Sequence, residues 1–198
     1  SSGGAQFDMG PAWFWPGQPR MAAIVERFGL TKFDQYTDGD LLFEDARGHV
    51  QRGRGYASMQ GSWRLDGGMA ALIAALVDQI PTDKVELNWP VAQVRRQDAG
   101  VQLIATSGDT TEARHVVFAL PPRLVAGLQF VPAFDVNAML SVPTWMAGQA
   151  KAVAVYDRPF WRDVGLSGDA SSRFGPMVEI HDASPAFGGP YALFGFIG

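Results

Sequence analysis

Lys151 lies inside the apolar run Ala150-Lys151-Ala152-Val153-Ala154-Val155-Tyr156, where a lysine needs a reason. On a half-buried strand its ammonium either faces water or is desolvated beside a specific partner, and the second arrangement makes it chemically useful. Asp66-Gly67-Gly68 stands before an apolar periodic stretch. Two glycines there let a backbone or a ligand approach a helix N-terminus, whose free N–H groups favour negative charge. The plain alternative is a cap with a tight turn. Gly53-Arg54-Gly55-Tyr56-Ala57-Ser58 is the nearest approach to a phosphate loop, but it lacks the last glycine and follows no good strand, so it reads as a surface turn. The sequence holds no GxGxxG, no Walker A motif and no GxSxG. His181-Asp182 reads as a strand end entering a turn, and Arg158-Pro159-Phe160-Trp161-Arg162 as core packing with a rim of charge.

Composition narrows the chemistry further. The chain has 198 residues, 47% hydrophobic and 18% charged, which is enough for a packed core and speaks against disorder. Its net charge of −4 speaks against nucleic acid or an anionic membrane as a partner. Without cysteine there are no disulfides and no thiolate metal sites. His49, His115 and His181 lie far apart with no ligand spacing, so no metal is expected. Six tryptophans suit either core packing or an aromatic-lined pocket. No apolar run reaches the roughly 20 residues of a membrane span, and no signal peptide is visible, so a cytoplasmic protein is expected. Both ends, Ser1-Ser2-Gly3-Gly4 and Ile197-Gly198, read as cut from something longer.

The elements that must position these residues follow from periodicity. Met21, Ile24, Val25 and Phe28 form one helical stripe between Pro19 and Gly29, predicting a helix over 19–29. Met69, Leu72, Ile73, Leu76, Val77 and Ile80 predict a second over 68–80, capped by Asp66-Gly67-Gly68 and stopped by Pro81. A β-meander is expected over 84–120, from a short strand at Lys84–Leu87 to the apolar and hence buried run Val116–Leu120. Strands are also expected at Leu41–Asp45, Lys151–Tyr156, Met177–His181 and Ala192–Ile197. The whole reads as α+β, divided softly at 132–146 into portions 1–131 and 132–198.

Taken in chain order, these blocks resemble the flavin-containing amine oxidases, the monoamine oxidase superfamily. The likeness runs through Phe7-Asp8-Met9-Gly10-Pro11-Ala12-Trp13 with Gln18 and Phe28-Gly29-Leu30, then Leu65-Asp66-Gly67-Gly68. It continues through Pro90-Val91, then Val116-Val117-Phe118-Ala119-Leu120-Pro121-Pro122 with Phe130-Val131-Pro132. Lys151–Tyr156, Arg158–Arg162 and Ala192-Leu193-Phe194-Gly195-Phe196 close it.

The resemblance implies an FAD-dependent oxidoreductase fold carrying an antiparallel substrate domain, with 1–131 a partial FAD-binding portion and 132–198 a partial substrate domain. It likens Lys151 to the family lysine that holds a water near flavin N5. Gly10, Pro11 and Ala12 align with the segment passing the isoalloxazine ring, Val91 with the adenine contact, and Ala119, Leu120 and Pro121 with a strand end near the cofactor. Trp13 aligns with an aromatic lining the substrate cavity, and Gln60 or Gly61 with a polar position facing substrate. Pro11 replaces a family glycine, the GxGxxG pyrophosphate loop is missing, and the stretch from Leu30 to Gly67 is short, as in a compact bacterial-type member. The implied activity is oxidation of an amine C–N bond by hydride transfer to FAD, with O2 as reoxidant. The piece alone is expected to hold FAD poorly, to be inactive and to self-associate through uncovered apolar surface. The rivals are an FAD-dependent C–C desaturase or porphyrinogen-oxidase-like enzyme and a non-catalytic binding module.

Overall fold

The computed structural model describes residues 6–143, 148 and 150–198. Along the sequence run α1 (Pro19–Arg27), β1 (Lys32–Asp34), β2 (Asp40–Glu44), β3 (Val50–Gly53), β4 (Trp63–Leu65) and α2 (Gly68–Val77). Next come β5 (Val91–Gln97), β6 (Gly100–Ala105), β7 (Thr110–Ala113), α3 (Pro122–Val125), β8 (Gln129–Val131) and α4 (Asn137–Leu140). The chain closes with β9 (Ala150–Tyr156), α5 (Phe160–Asp163), β10 (Leu166–Ser172), β11 (Met177–Asp182) and β12 (Tyr191–Ile197). The fold is α+β.

Two compact units form, one from Ser1–Ile80 with Gly148–Gly198 and the other from Pro81–Ala147. The packing therefore does not divide at 131/132, the contiguous cut expected above. The reason is that β9 to β12 return to strands laid down much earlier. Their six-stranded sheet has the order β3-β2-β10-β11-β12-β9. Only β2 and β10 run parallel in it, a pairing across more than a hundred residues.

Within the first unit, α1 buries Val25 against Phe14, Leu65 and Leu72, with Met21, Ile24 and Phe28 packed around them. Gly29, at φ +59°, ends it. The N–H groups of Gly29 and Leu30 donate to the carbonyls of Glu26 and Val25, a double closure that the left-handed glycine allows. α2 stops at Val77 rather than 80. Its last N–H groups, Gln79 and Ile80, reach back three residues to Leu76 and Val77, tightening the turn before Pro81. Its cap is also not local: Asp8 Oδ1 accepts the Met69 N–H at 2.9 Å, whereas Gly67 occupies the N-cap without a side-chain bond. Gly68, at φ +71°, is required there, because a Cβ would lie 2.7 Å from Asp8 Oδ1.

The second unit is a four-stranded sheet of order β7-β6-β5-β8, with β5 and β8 parallel. Two expectations fail in it. The segment Lys84–Leu87 is no strand: a single 3-10 turn at Thr82–Lys84 leads into open chain, with Leu87 78% exposed. The run Val116–Leu120 is neither strand nor buried, and Val117 is 90% exposed. A run apolar on both faces needs cover on both faces, and among the described residues no strand pairs with it. No helix among the described residues is long and apolar enough to cross a membrane.

Candidate active site

The first unit gathers the polar groups onto one face of its six-stranded sheet. On β9 Lys151 stands opposite Phe196 of β12, which stands opposite Glu179 of β11, which stands opposite Ser171 of β10. The neighbouring row is Val153, Phe194 and His181. Directly opposed residues of antiparallel strands share a face, so the lysine and the β11 pair look the same way.

Lys151 Nζ donates to the carbonyl of Gly10 at 3.0 Å. It also sits 4.1 Å from the centre of the Phe194 ring, with Trp13 at 5.7 Å and Phe196 at 5.9 Å. Burial lowers its pKa to about 8; the Asp8 carboxylate opposes that shift and the Arg64 guanidinium adds to it. Trp13 is fixed by its indole N–H, which donates to Gln35 Oε1 at 2.8 Å, and by stacking at a tilt on Phe194, with ring centres 5.0 Å apart. Gln35 is itself buried and donates to the Asp182 carbonyl at 2.8 Å. A chain of contacts thus runs from the sheet to the rings around the ammonium.

Beyond Phe194 the same face opens into a cavity of about 510 Å³ lined by Phe43, Tyr56, Ser58, Asp169, Glu179 and His181, among others. His181 is 1% exposed, and its Nδ1 meets Asp169 Oδ1 at 2.5 Å. Glu179 Oε1 lies 2.9 Å from His181 Nε2 but out of line for a hydrogen bond, and it accepts the Ser58 hydroxyl at 2.5 Å. The His181 ring stands edge-on to Trp13 at 5.3 Å.

The structure thus brings together Lys151, Gly10 and Trp13, with Ala12 buried beside them and Pro11 lining a neighbouring apolar cavity. Gln60 lies in the turn at 58–61, exposed, and makes none of the cluster's hydrogen bonds. Val91 opens β5 in the second unit, and Ala119, Leu120 and Pro121 lie there as exposed chain leading into α3. Sequence reasoning passed over Asp169, Glu179 and Ser58, and took His181 only for a strand end. The usable signal was Glu179 and His181 at alternate positions of one strand, hence on one face.

A family model described as flavin containing amine oxidoreductase matches residues 51–190, and the chain belongs to that family. A Mycobacterium tuberculosis protein named flavin-containing monoamine oxidase AofH is 34% identical over 135 residues, 68% of this chain and 29% of its own. A Dictyostelium discoideum protein named flavin-containing monoamine oxidase A is 32% identical over 136 residues, 68% of this chain and 30% of its own. The chain therefore spans about three tenths of the length of these relatives. Among solved structures, a triple mutant of putrescine oxidase superposes with a TM-score of 0.83 at 18% identity, covering 100% of this chain and 66% of that one. Cyclohexylamine oxidase from Brevibacterium oxydans also gives 0.83, at 16% identity, covering 97% and 64%. At such identities the likeness establishes the fold.

Family membership implies a flavin in the whole protein. An ammonium has three donors, and Lys151 spends one on Gly10. The remaining donors, in a half-buried aromatic setting, fit the polar edge of a flavin ring or a water beside it. The phosphates are another matter, since the chain contains no GxGxxG loop to hold them.

Proposed function

We propose that this chain is the substrate-facing part of an FAD-dependent amine oxidase. The whole protein oxidises an amine C–N bond: a hydride and a proton leave the substrate, which becomes an imine, and O2 takes the electrons as peroxide. Bound flavin supplies the two-electron carrier between them. The residues here do the rest. Phe194, Phe196 and Trp13 exclude water from the reacting carbon. Lys151 Nζ, with the Gly10 carbonyl, holds a water or a proton at the flavin edge, and its pKa of about 8 lets it exchange that proton near neutral pH. By the family likeness, Gly10, Pro11 and Ala12 would hold the flavin ring, and Val91, Ala119, Leu120 and Pro121 would contact other parts of FAD. Gln60 faces substrate in this reading.

The carrying observation is the Lys151–Gly10 contact inside the aromatic cluster. The names of the relatives favour an amine over a C–C bond. In the full-length protein, Lys151→Met should slow anaerobic flavin reduction by amine about 100-fold, read from loss of the oxidised-flavin absorption. An unchanged rate removes the lysine from the reaction, and no reduction by any amine removes the amine. The isolated chain should stay colourless after mixing with excess FAD and removal of the unbound part. It should also self-associate, because α2 leaves Ile73 58% and Val77 44% exposed.

A further inference from the structure

The lysines of this chain are Lys32, Lys84 and Lys151, and they are held in different ways. Lys32 is exposed on β1, with Nζ 3.3 Å from the centre of the Trp63 ring. Lys84 is exposed too, and its Nζ lies 3.1 Å from Asp83 Oδ2. Lys151 is half-buried. Its Nζ meets the neutral carbonyl of Gly10 and the rings of Phe194, Trp13 and Phe196. Among the described residues no ion pair holds it.

That setting favours nucleophilic chemistry at nitrogen. Only the neutral amine has a lone pair, and a desolvated lysine reaches that form most readily, which is why such lysines form imines with carbonyl compounds. Burial brings Lys151 to a pKa of about 8, against the Asp8 carboxylate and with the Arg64 guanidinium. A neutral amine spends one N–H on Gly10 and keeps its lone pair free. The three rings around it offer an apolar bed for the body of a carbonyl compound. The reaction proposed above makes one. Its imine product, on taking up water, becomes an aldehyde and releases the nitrogen. In that reading the water held by Nζ and the carbon that loses hydride share the flavin edge, so the new carbonyl arises next to the lysine.

We infer that Lys151 Nζ is a capture site for aldehydes with an apolar body, and that the aldehyde formed at this site arrests it by bonding there. The arrest rests on the amine oxidase reading; the capture rests on the lysine alone. Nζ gives up one proton to solvent and adds to the carbonyl carbon. The resulting carbinolamine loses its oxygen as water, leaving a carbon–nitrogen double bond. Nothing is oxidised or reduced, and hydrolysis reverses the step. A neutral imine has no N–H, so the bond to Gly10 and the hold on water are lost together until it hydrolyses.

The test treats the full-length holoenzyme, without amine, with benzaldehyde and sodium cyanoborohydride, which reduces an imine to a stable secondary amine. Peptide mass spectrometry then measures the benzyl adduct at each lysine. Lys151 should be labelled roughly 10- to 100-fold faster than Lys32 or Lys84, because each unit of lowered pKa raises the neutral fraction about tenfold and half-burial gives part of that back. In urea the three should label alike. Equal labelling of the folded protein overturns the inference, and so does a preference for Lys151 that survives in urea. A second arm replaces benzaldehyde with benzylamine and O2, and the same adduct should accumulate at Lys151 as peroxide forms. Peroxide without that adduct overturns the arrest. Labelling by benzaldehyde with no peroxide from any amine upholds the capture site and refutes the oxidase reading instead.

Discussion

Two buried carboxylates on the same sheet behave as opposites. Asp182, at the end of β11, is fully enclosed and fully used. Its Oδ2 accepts from the Trp161 indole at 2.9 Å and from Arg162 through Nε at 2.9 Å and Nη2 at 2.7 Å, and its Oδ1 takes the Ser184 N–H at 2.8 Å. Asp169, on β10, is almost as deep but has one oxygen on His181 and the other on nothing. The first arrangement closes a structure. The second stores unspent acceptor capacity beside a cavity. The difference separates a carboxylate whose acceptors are all engaged from one with an acceptor to spare.

The sharpest way to break that contrast is to neutralise each carboxylate in turn. Asp182→Asn leaves the Arg162 guanidinium, 23% exposed, facing an amide, and should cost about 3 kcal/mol, the low end for breaking a buried ion pair. Asp169→Asn keeps an oxygen for the His181 N–H and exchanges one unpartnered atom for another, so it should cost about 1 kcal/mol or less. Chemical denaturation of the two variants checks the order. Equal costs would mean that both residues are structural.

A smaller effect tests whether the satisfied side extends to the other edge of the site. Asp8 is engaged by the Met69 N–H across 61 residues of sequence. Gly68→Ala places a Cβ at φ +71° and 2.7 Å from Asp8 Oδ1. The strained backbone and the displaced cap together should cost about 2 kcal/mol. Asp8→Asn keeps an acceptor and should cost a few tenths. If Gly68→Ala is neutral in denaturation, the cap contributes nothing.

These residues also show what was legible in the sequence. The helical stripes of α1 and α2, the Lys151 strand and the family likeness could be read there, because periodicity and motif order are local or sequential signals. The Asp8 cap could not, since it joins positions far apart. β10 was invisible: Leu166–Ser172 is built from small and polar residues of poor strand propensity and is held by β2 and β11 rather than by itself. The cavity cluster depends on β10, so Asp169 was hidden with it. The run Val116–Leu120 failed in the other direction, since among the described residues its strong propensity found no strand to pair with.

Lys151 lies between the two carboxylates in kind, with one donor spent and a burial penalty outstanding. Its folded pKa of about 8 is below the usual 10.5, because burial disfavours the charged form. The sign follows. Between these values the unfolded chain binds more protons than the folded one, so stability rises with pH across that window. The penalty is complete below about 8 and absent above 10.5. Lys151→Met removes the titration, so the difference in Tm between variant and wild type should shift in favour of wild type as pH rises from 8 to 10.5. Other titrating groups are common to both proteins and cancel. This should be the smallest of the stability effects, because the ammonium is only half-buried and solvent screens it. A difference that stays constant over the window would mean that Lys151 titrates as an exposed lysine, and the desolvated aromatic site would lose its main electrostatic support.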